Sequence, residues 1–136
     1  MILFINTADQ NEVTLALVLN GNIVIKKTFL AKYRQAELLL PEIKKLFLNS
    51  QSGQKALRGI VVVSGPGPFS ALRIGISTAN ALAYALNLPI VGVKLSEISK
   101  ESNLGIFVSN IFKKAKREFI VKPFYGAEPN ITSKKR

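Results

Sequence analysis

The sequence predicts an α/β domain built on a mixed five-stranded sheet with the element order βββαβαβ. Two observations lead to this prediction. Three β-rich runs open the chain, and a strand, a helix and a further strand follow one another after a first helix. A chain of 136 residues fits one such domain, because roughly two-thirds of its unfolded surface can be buried at that length.

The first three strands are predicted at the N-terminus. The runs "ILFINT" and "EVTLALVL" are rich in β-branched and large apolar residues, and "GNIVIKKTFL" begins at an Asn20-Gly21 pair. An Asn-Gly pair between two such runs is a strong hairpin signal. We therefore expect three consecutive antiparallel strands.

The middle of the chain predicts helices alternating with buried strands. Apolar residues recur at helical spacing from about residue 34 to 48, and Pro41 should kink this helix or displace its start. The strand "IVVV" does not alternate, which indicates burial on both faces. A helix over about residues 70–86 and the strand "LPIVGV" complete a right-handed crossover. A short helix over about 96–102 follows, with Ser96 as its N-cap.

The remainder of the chain predicts a smaller unit. The runs "LGIFVSNIF" and "EFIVKPFYG" resemble two strands joined by "KKAKR", and the last ten residues read as an extended tail. An isolated two-stranded hairpin is marginal in water, so it must dock on something. We therefore divide the chain into a lobe at 1–103 and a unit at 104–136 that consists of a β-hairpin and a basic tail.

The composition excludes several kinds of chemistry. There is no cysteine and no histidine, which removes disulfides, Cys- or His-ligated zinc and every Ser-His or Cys-His arrangement. Only eight acidic residues are present, and no two adjacent ones read as a metal-binding pair. We expect no catalytic residue, no metal and no cofactor. The chain has no apolar run of membrane-spanning length and no signal-peptide pattern, so we expect a cytoplasmic protein without a membrane partner.

The net charge of +11 is concentrated towards the C-terminus, where eight of the nineteen basic residues follow Phe112. Such a cluster attracts phosphate backbones, but without interleaved aromatic residues it indicates no sequence-reading module. A solubilising tail and a contact with RNA both remain open. The candidate RNA contacts are Lys113, Lys114, Lys116, Arg117, Lys122, Lys134, Lys135 and Arg136.

The stretch "SGPGPFSALRIG" is built either as a phosphate cradle or as a rigid turn. Pro66 and Pro68 each remove a backbone donor that a cradle would need, and no lysine follows as in a Walker A loop. We favour a structural loop over Gly65, Pro66, Gly67, Pro68 and Phe69. In this interpretation Gly67 permits a close approach, and Ser70 caps the helix.

The second predicted helix has two apolar faces, and its own sheet can cover only one of them. The other face packs either on the first helix or on another protein. We predict that Ala71→Glu abolishes association and leaves a folded monomer, because it puts an unpaired charge in a desolvated contact. Packing of this face inside the chain's own lobe would instead predict loss of folding. Ile74→Glu serves as a second probe.

The loop and its helix resemble the TsaB (YeaZ) family, whose pattern there is approximately Gly-Pro-Gly-Ser-Phe-Thr-Gly-Leu-Arg-Ile-Gly. The matching positions are Gly65, Pro66, Gly67, Phe69, Leu72, Arg73, Ile74 and Gly75. "ILFINTA", "QAELLLPEI" and "KPFYGAEPNIT" resemble further family patterns. The chain departs from the superfamily at Asn6, where Asp is usual, and from the family at Gln35, Pro68 and Ala71, and its second lobe is much shortened.

The resemblance implies an actin-like ATPase (ribonuclease H-like) lobe and a role in the bacterial complex that makes threonylcarbamoyladenosine (t6A) in tRNA. In that role the chain is a non-catalytic scaffold, required by the complex, that binds the TsaD-type catalytic subunit through its two lobe helices. The implied contacts are Glu37, Leu38, Pro41, Glu42, Ser70, Ala71, Arg73, Ile74, Ser77 and Thr78. Further implied partners are a TsaE-type ATPase and tRNA held through the complex. For the chain alone we expect a homodimer through the same helices, because an exposed apolar helical face tends to pair with a copy of itself.

Two alternative functions remain. The first is a basic accessory module that binds tRNA directly through the C-terminal cluster. The second is a residual actin-like ATP-binding protein, although such sites lie between two lobes and use acidic residues to hold magnesium. Asn6 lacks that charge, and the second lobe is short.

Overall fold

The computed structural model describes residues 1–50, 56–99, 103–115, 118 and 120–124. Within these ranges the chain forms five strands and four helices. They are β1 (Ile2–Asn6), β2 (Glu12–Leu19), β3 (Asn22–Leu30), α1 (Gln35–Ser50), β4 (Gly59–Gly65), α2 (Phe69–Leu86), β5 (Ile90–Lys94), α3 (Leu95–Ser99) and α4 (Leu104–Lys114).

The five strands form one mixed sheet in the order β3-β2-β1-β4-β5. β1, β2 and β3 pair antiparallel, whereas β4 pairs parallel with both β1 and β5. Asn20 and Gly21 both adopt positive φ, at 50° and 82°, as the tight turn between β2 and β3 requires. The predicted α/β fold with a mixed five-stranded sheet is confirmed.

The sheet has a hydrophobic core on each face. One core contains Leu3, Ile5 and Val62 together with α1 and α2, and the other contains Phe4 and Val61 together with α4. Every residue of β4 is buried, which agrees with the absence of alternation in its sequence.

The predicted C-terminal hairpin is wrong in its first arm, because residues 104–114 form α4. Asn103 caps this helix by accepting a hydrogen bond from the Ile106 amide at 3.0 Å. The apolar residues fall at helical spacing and pack on the sheet. They are Leu104, Phe107, Val108, Ile111 and Phe112. The division of the chain at residue 103 stays a prediction.

Two predicted N-caps are also wrong. α2 begins at Phe69 with Pro68 at its N-cap, so Ser70 lies inside the helix. α3 begins at Leu95, so Ser96 lies inside it as well. In α1 the predicted range is correct to within about two residues, and Pro41 does not displace the start of the helix.

The second arm of the predicted hairpin becomes a C-terminal segment (Glu118 and residues 120–124) that docks on the lobe. Glu118 pairs with Ile90 through two backbone hydrogen bonds, and Val121 enters the core. The Asn80 side chain donates to the Val121 carbonyl at 3.0 Å and accepts from the Val121 amide at 2.9 Å. A Cβ on Gly92 would lie 2.7 Å from Val121 Cγ1, so the glycine leaves the space that Val121 fills.

Candidate functional site

α1 and α2 lie side by side on one face of the sheet, and their outer surfaces together form what we call the two-helix surface. Two of its large apolar side chains are more than half exposed, namely Leu40 at 55% and Phe69 at 56%. A shallow groove of about 290 Å³ runs between the helices. It is lined by Ala36, Arg73, Ile74, Ser77 and Thr78.

Nine of the ten expected partner contacts are exposed or half-buried on α1 and α2, and the tenth is buried. The exposed ones are Glu37, Pro41, Ser70, Arg73 and Ser77, and the half-buried ones are Leu38, Glu42, Ile74 and Thr78. Four of the nine line the groove, namely Arg73, Ile74, Ser77 and Thr78. Ala71 is only 3% exposed and packs in the chain's own core. A direct contact between Ala71 and a partner is therefore corrected to a packing role.

The charges at the α1 side of this surface are compensated within the chain. Lys27 Nζ lies 2.6 Å from Glu42 Oε1, and Lys45 Nζ lies 3.9 Å from Glu42 Oε2. Arg34 forms a further ion pair with Glu37 at 2.5 Å. The surface therefore offers a partner apolar and neutral polar groups beside paired charges, together with Arg73, whose guanidinium lies 5.2 Å from the centre of the Phe69 ring.

The loop that precedes α2 packs closely on other parts of the chain. A Cβ on Gly67 would lie 2.5 Å from the Ala8 carbonyl oxygen, and one on Gly65 would overlap the Phe124 carbonyl. One turn further along, a Cβ on Gly75 would overlap the Thr7 side chain. These glycines permit the loop and α2 to approach neighbouring backbone closely.

Two of the residues that depart from the related patterns also have partners inside the chain. Asn6 Oδ1 accepts a hydrogen bond from the Ala8 amide at 2.9 Å, and Gln35 Nε2 donates to the Gln10 carbonyl at 3.2 Å. Within the described ranges, no three Asp, Glu, His or Cys side chains come together as a metal site would need. Nor does any helix in this part of the chain have the length and apolar character to cross a membrane.

The expected RNA contacts are only partly described. Lys113 and Lys114 are exposed in the last turn of α4, and Lys122 is exposed in the C-terminal segment. The remaining ones lie outside the described residues. They are Lys116, Arg117, Lys134, Lys135 and Arg136.

Sequence reasoning missed a basic pocket of about 450 Å³ where β1 and β4 begin, which Arg58 and Lys113 both line. The Met1 amine donates to the Ala56 carbonyl at 2.7 Å, and burial together with the nearby Arg58 charge lowers its pKa. Arg58 immediately precedes the buried strand, so a basic residue at a strand end was the available signal.

The comparisons with known proteins point to t6A synthesis. Residues 29–103, more than half of the chain, match the family model of TsaD, tRNA N6-adenosine threonylcarbamoyltransferase. The chain is 63% identical over 38 residues to a tRNA N6-adenosine threonylcarbamoyltransferase of Geotalea daltonii, covering 28% of this chain and 11% of that protein. It is 32% identical over 83 residues to the tRNA threonylcarbamoyladenosine biosynthesis protein TsaB of Buchnera aphidicola, covering 61% of this chain and 36% of that protein.

A solved structure agrees with this. YeaZ from Pseudomonas aeruginosa superposes with a TM-score of 0.62 and 27% sequence identity, over 68% of this chain and 44% of that one. The chain therefore spans less than half the length of each of these three relatives. The fold agrees with the actin-like, ribonuclease H-like class that the sequence predicts.

Proposed function

From the premise that this chain belongs to the family of the TsaD model, tRNA N6-adenosine threonylcarbamoyltransferase, we propose that it is a non-catalytic partner subunit of the TsaB (YeaZ) type. In this role it binds a TsaD-type catalytic subunit through the two-helix surface. The resulting complex modifies tRNA, and the chain contributes a docking surface to it. In this proposal the TsaD-type subunit carries out the catalytic reaction.

The observation that supports this proposal most is the two-helix surface itself. It combines the exposed Leu40 and Phe69 side chains with a groove whose lining, apart from the exposed Arg73, is small or half-buried. A helix of the partner can approach closely where Ala36, Ser77 and Thr78 line the groove, because small side chains permit short distances between helix axes. The neighbouring Glu37 and Glu42 are already paired with basic residues, so docking leaves no unpaired buried carboxylate on α1.

The match to a transferase family model raises the question of whether the chain is itself catalytic. The similarity to proteins named TsaB and YeaZ extends over 61% and 68% of this chain. The similarity to the transferases of Geotalea daltonii and Carboxydothermus hydrogenoformans extends over 28% and 50%. The sequence also provides no histidine or cysteine as a nucleophile, base or metal ligand. Both points favour the partner role.

The test is to co-express the chain with the TsaD-type subunit of the same genome and to isolate the complex by gel filtration. Ser77→Glu puts a charge in the groove without altering the core, because Ser77 is exposed. We expect it to weaken the complex at least tenfold, because the longer, charged side chain fills the groove and would have to lose its water when a partner helix docks.

The matched control is Asn110→Glu, which makes the same kind of change on the exposed side of α4, across the sheet. We expect this variant to bind the partner as the unmodified chain does. If both variants bind equally well, the two-helix surface is not the docking site. If the unmodified chain forms no complex, the partner role itself is wrong.

A further inference from the structure

The basic pocket lies on the opposite face of the sheet from the two-helix surface. It is bounded by α4, the first residue of β1, the last residues of β2 and the residue before β4. Arg58 and Lys113 supply its positive charge, and Asn20 and Ser109 add neutral polar groups. Ile2 and Phe112 supply apolar surface. Among the residues that the structure describes, no Asp or Glu lines this pocket.

The packing of α4 explains why the two cations lie at one pocket. Phe112 packs directly on Gly59, so closely that a Cβ on this glycine would overlap the ring. Arg58 precedes Gly59 in sequence and Lys113 follows Phe112, so this one contact brings both basic residues together. The Arg58 backbone is fixed further by the hydrogen bond from its amide to the Met1 carbonyl, at 2.7 Å.

Nothing in the described part of the chain neutralises this pair. The ion pairs found there involve Lys27, Arg34 and Lys45, and all three of these bases lie in β3, in α1 or between them. Two cations near one another repel by about 1 kcal/mol at 4 Å in water, and by less at greater separation. A bound anion removes that repulsion, so the pocket is suited to a negatively charged ligand.

We propose that this pocket binds backbone phosphate of a structured RNA. The planar guanidinium of Arg58 matches two phosphate oxygens, and Lys113 supplies a second point charge. The Ser109 oxygen accepts a hydrogen bond from the Gly21 amide at 2.8 Å, which leaves the hydroxyl proton to donate to a ligand.

RNA is the favoured source of the phosphate because the basic character continues beyond the pocket. Lys114 is exposed next to Lys113, and the sequence goes on to Lys116 and Arg117. A succession of cations follows a chain of phosphates, whereas a single small anion would use only the pocket. That the RNA is a tRNA rests on the proposed function, whereas phosphate binding at this pocket does not.

The experiment measures binding of the purified full chain to a labelled RNA hairpin by fluorescence anisotropy, between about 50 and 200 mM salt. The variant Arg58→Gln/Lys113→Gln removes both pocket charges. We expect its affinity at the lower salt to fall roughly tenfold or more, and its slope of log K against log salt to become shallower by about 1.4 to 1.8. Thermal melting checks that these exposed substitutions leave the fold intact.

The matched control is Lys26→Gln/Lys44→Gln, which removes the same net charge at exposed positions on β3 and α1. We expect a loss of no more than about threefold there, because only the general attraction weakens. Equal losses in both variants, or no RNA binding by the unmodified chain, would overturn the proposal. Equal competition by polyglutamate would overturn it too, since the pocket would then select charge and not phosphate.

The partner role and RNA binding at the basic pocket can each be contradicted without the other. The Arg58→Gln/Lys113→Gln variant should still form the complex with the TsaD-type subunit, because its substitutions lie across the sheet from the two-helix surface. Loss of RNA binding with the protein complex retained supports the pocket. A complex that does not form, beside RNA binding that depends on the pocket, contradicts the partner role alone.

Discussion

The two faces of the sheet are covered in different ways. α1 and α2 lie together over one face, and both carboxylates of α1, Glu37 and Glu42, are paired with basic residues. The helices α3 and α4 are associated with the other face, and α4 packs on four of the five strands. Near the end of α4, Arg58 and Lys113 have no carboxylate beside them in the described structure. The first face therefore has no unpaired carboxylate on its helices and is suited to a protein partner. The end of the second face carries unpaired basic residues and is suited to an anion. The difference shows how one small sheet can present two separate surfaces.

The largest expected effect is at Ala71, on the two-helix face. Ala71→Glu places a charge where the side chain is 3% exposed, and we expect the free energy of unfolding to fall by about 4 kcal/mol. Circular dichroism melting measures this. Ser77→Glu, on the same helix, should change stability by less than about 0.5 kcal/mol because it is exposed. If Ala71→Glu melts like the unmodified chain, Ala71 belongs to an external surface after all.

A smaller effect is expected on the other face. Gly59→Ala should destabilise the chain by about 2 kcal/mol, because the new Cβ displaces the Phe112 ring. Hydrogen exchange should accelerate in α4 more than in α1. The cost should shrink when Phe112→Ala is already present, and an unchanged cost in that background would contradict the proposed contact.

The C-terminal segment is attached next to α2, and Asn80 tests that attachment. Asn80→Ala removes both side-chain hydrogen bonds to Val121, which we expect to cost about 1 to 2 kcal/mol. The Val121 amide should exchange faster with solvent. Asn110→Ala, an exposed position on α4, is the control and should leave both quantities unchanged. Equal protection of the Val121 amide in both variants would contradict the attachment.

The smallest effect concerns the paired charges near α1. A double-mutant cycle with Lys27→Gln and Glu42→Gln should give a coupling energy of about 0.5 kcal/mol, because the lysine is partly exposed. The coupling should decrease as salt is added. A coupling energy near zero at low salt would mean that Lys27 does not compensate the Glu42 carboxylate on this face.

The sheet could be predicted from sequence because its signals are local. Asn20-Gly21 fixes the first hairpin, and the unalternating β4 indicates an interior strand. α4 was missed because its β-branched and aromatic residues favour strands intrinsically. Its helical spacing and the Asn103 cap are present in the sequence, but a short apolar run does not by itself distinguish a helix from a strand.

The two-helix surface and the basic pocket also differ in how far the sequence could predict them. The two-helix surface follows from amphipathic patterns within single helices, so most of its members were identified. The basic pocket joins Arg58 to Lys113, which are far apart in sequence, through the contact of Phe112 with Gly59. The burial of Ala71 likewise depends on packing between elements. Such long-range contacts leave no periodic signal.

The place of Val121 in the core has a consequence for synthesis on the ribosome. The five strands and the helices α1 and α2 are all translated before the residue that fills the space above Gly92. During that interval Asn80 has no backbone partner, and apolar surface beside β5 stays open to water. The nascent lobe therefore completes its core only after residue 121 emerges, so its final folding step is set by the timing of translation.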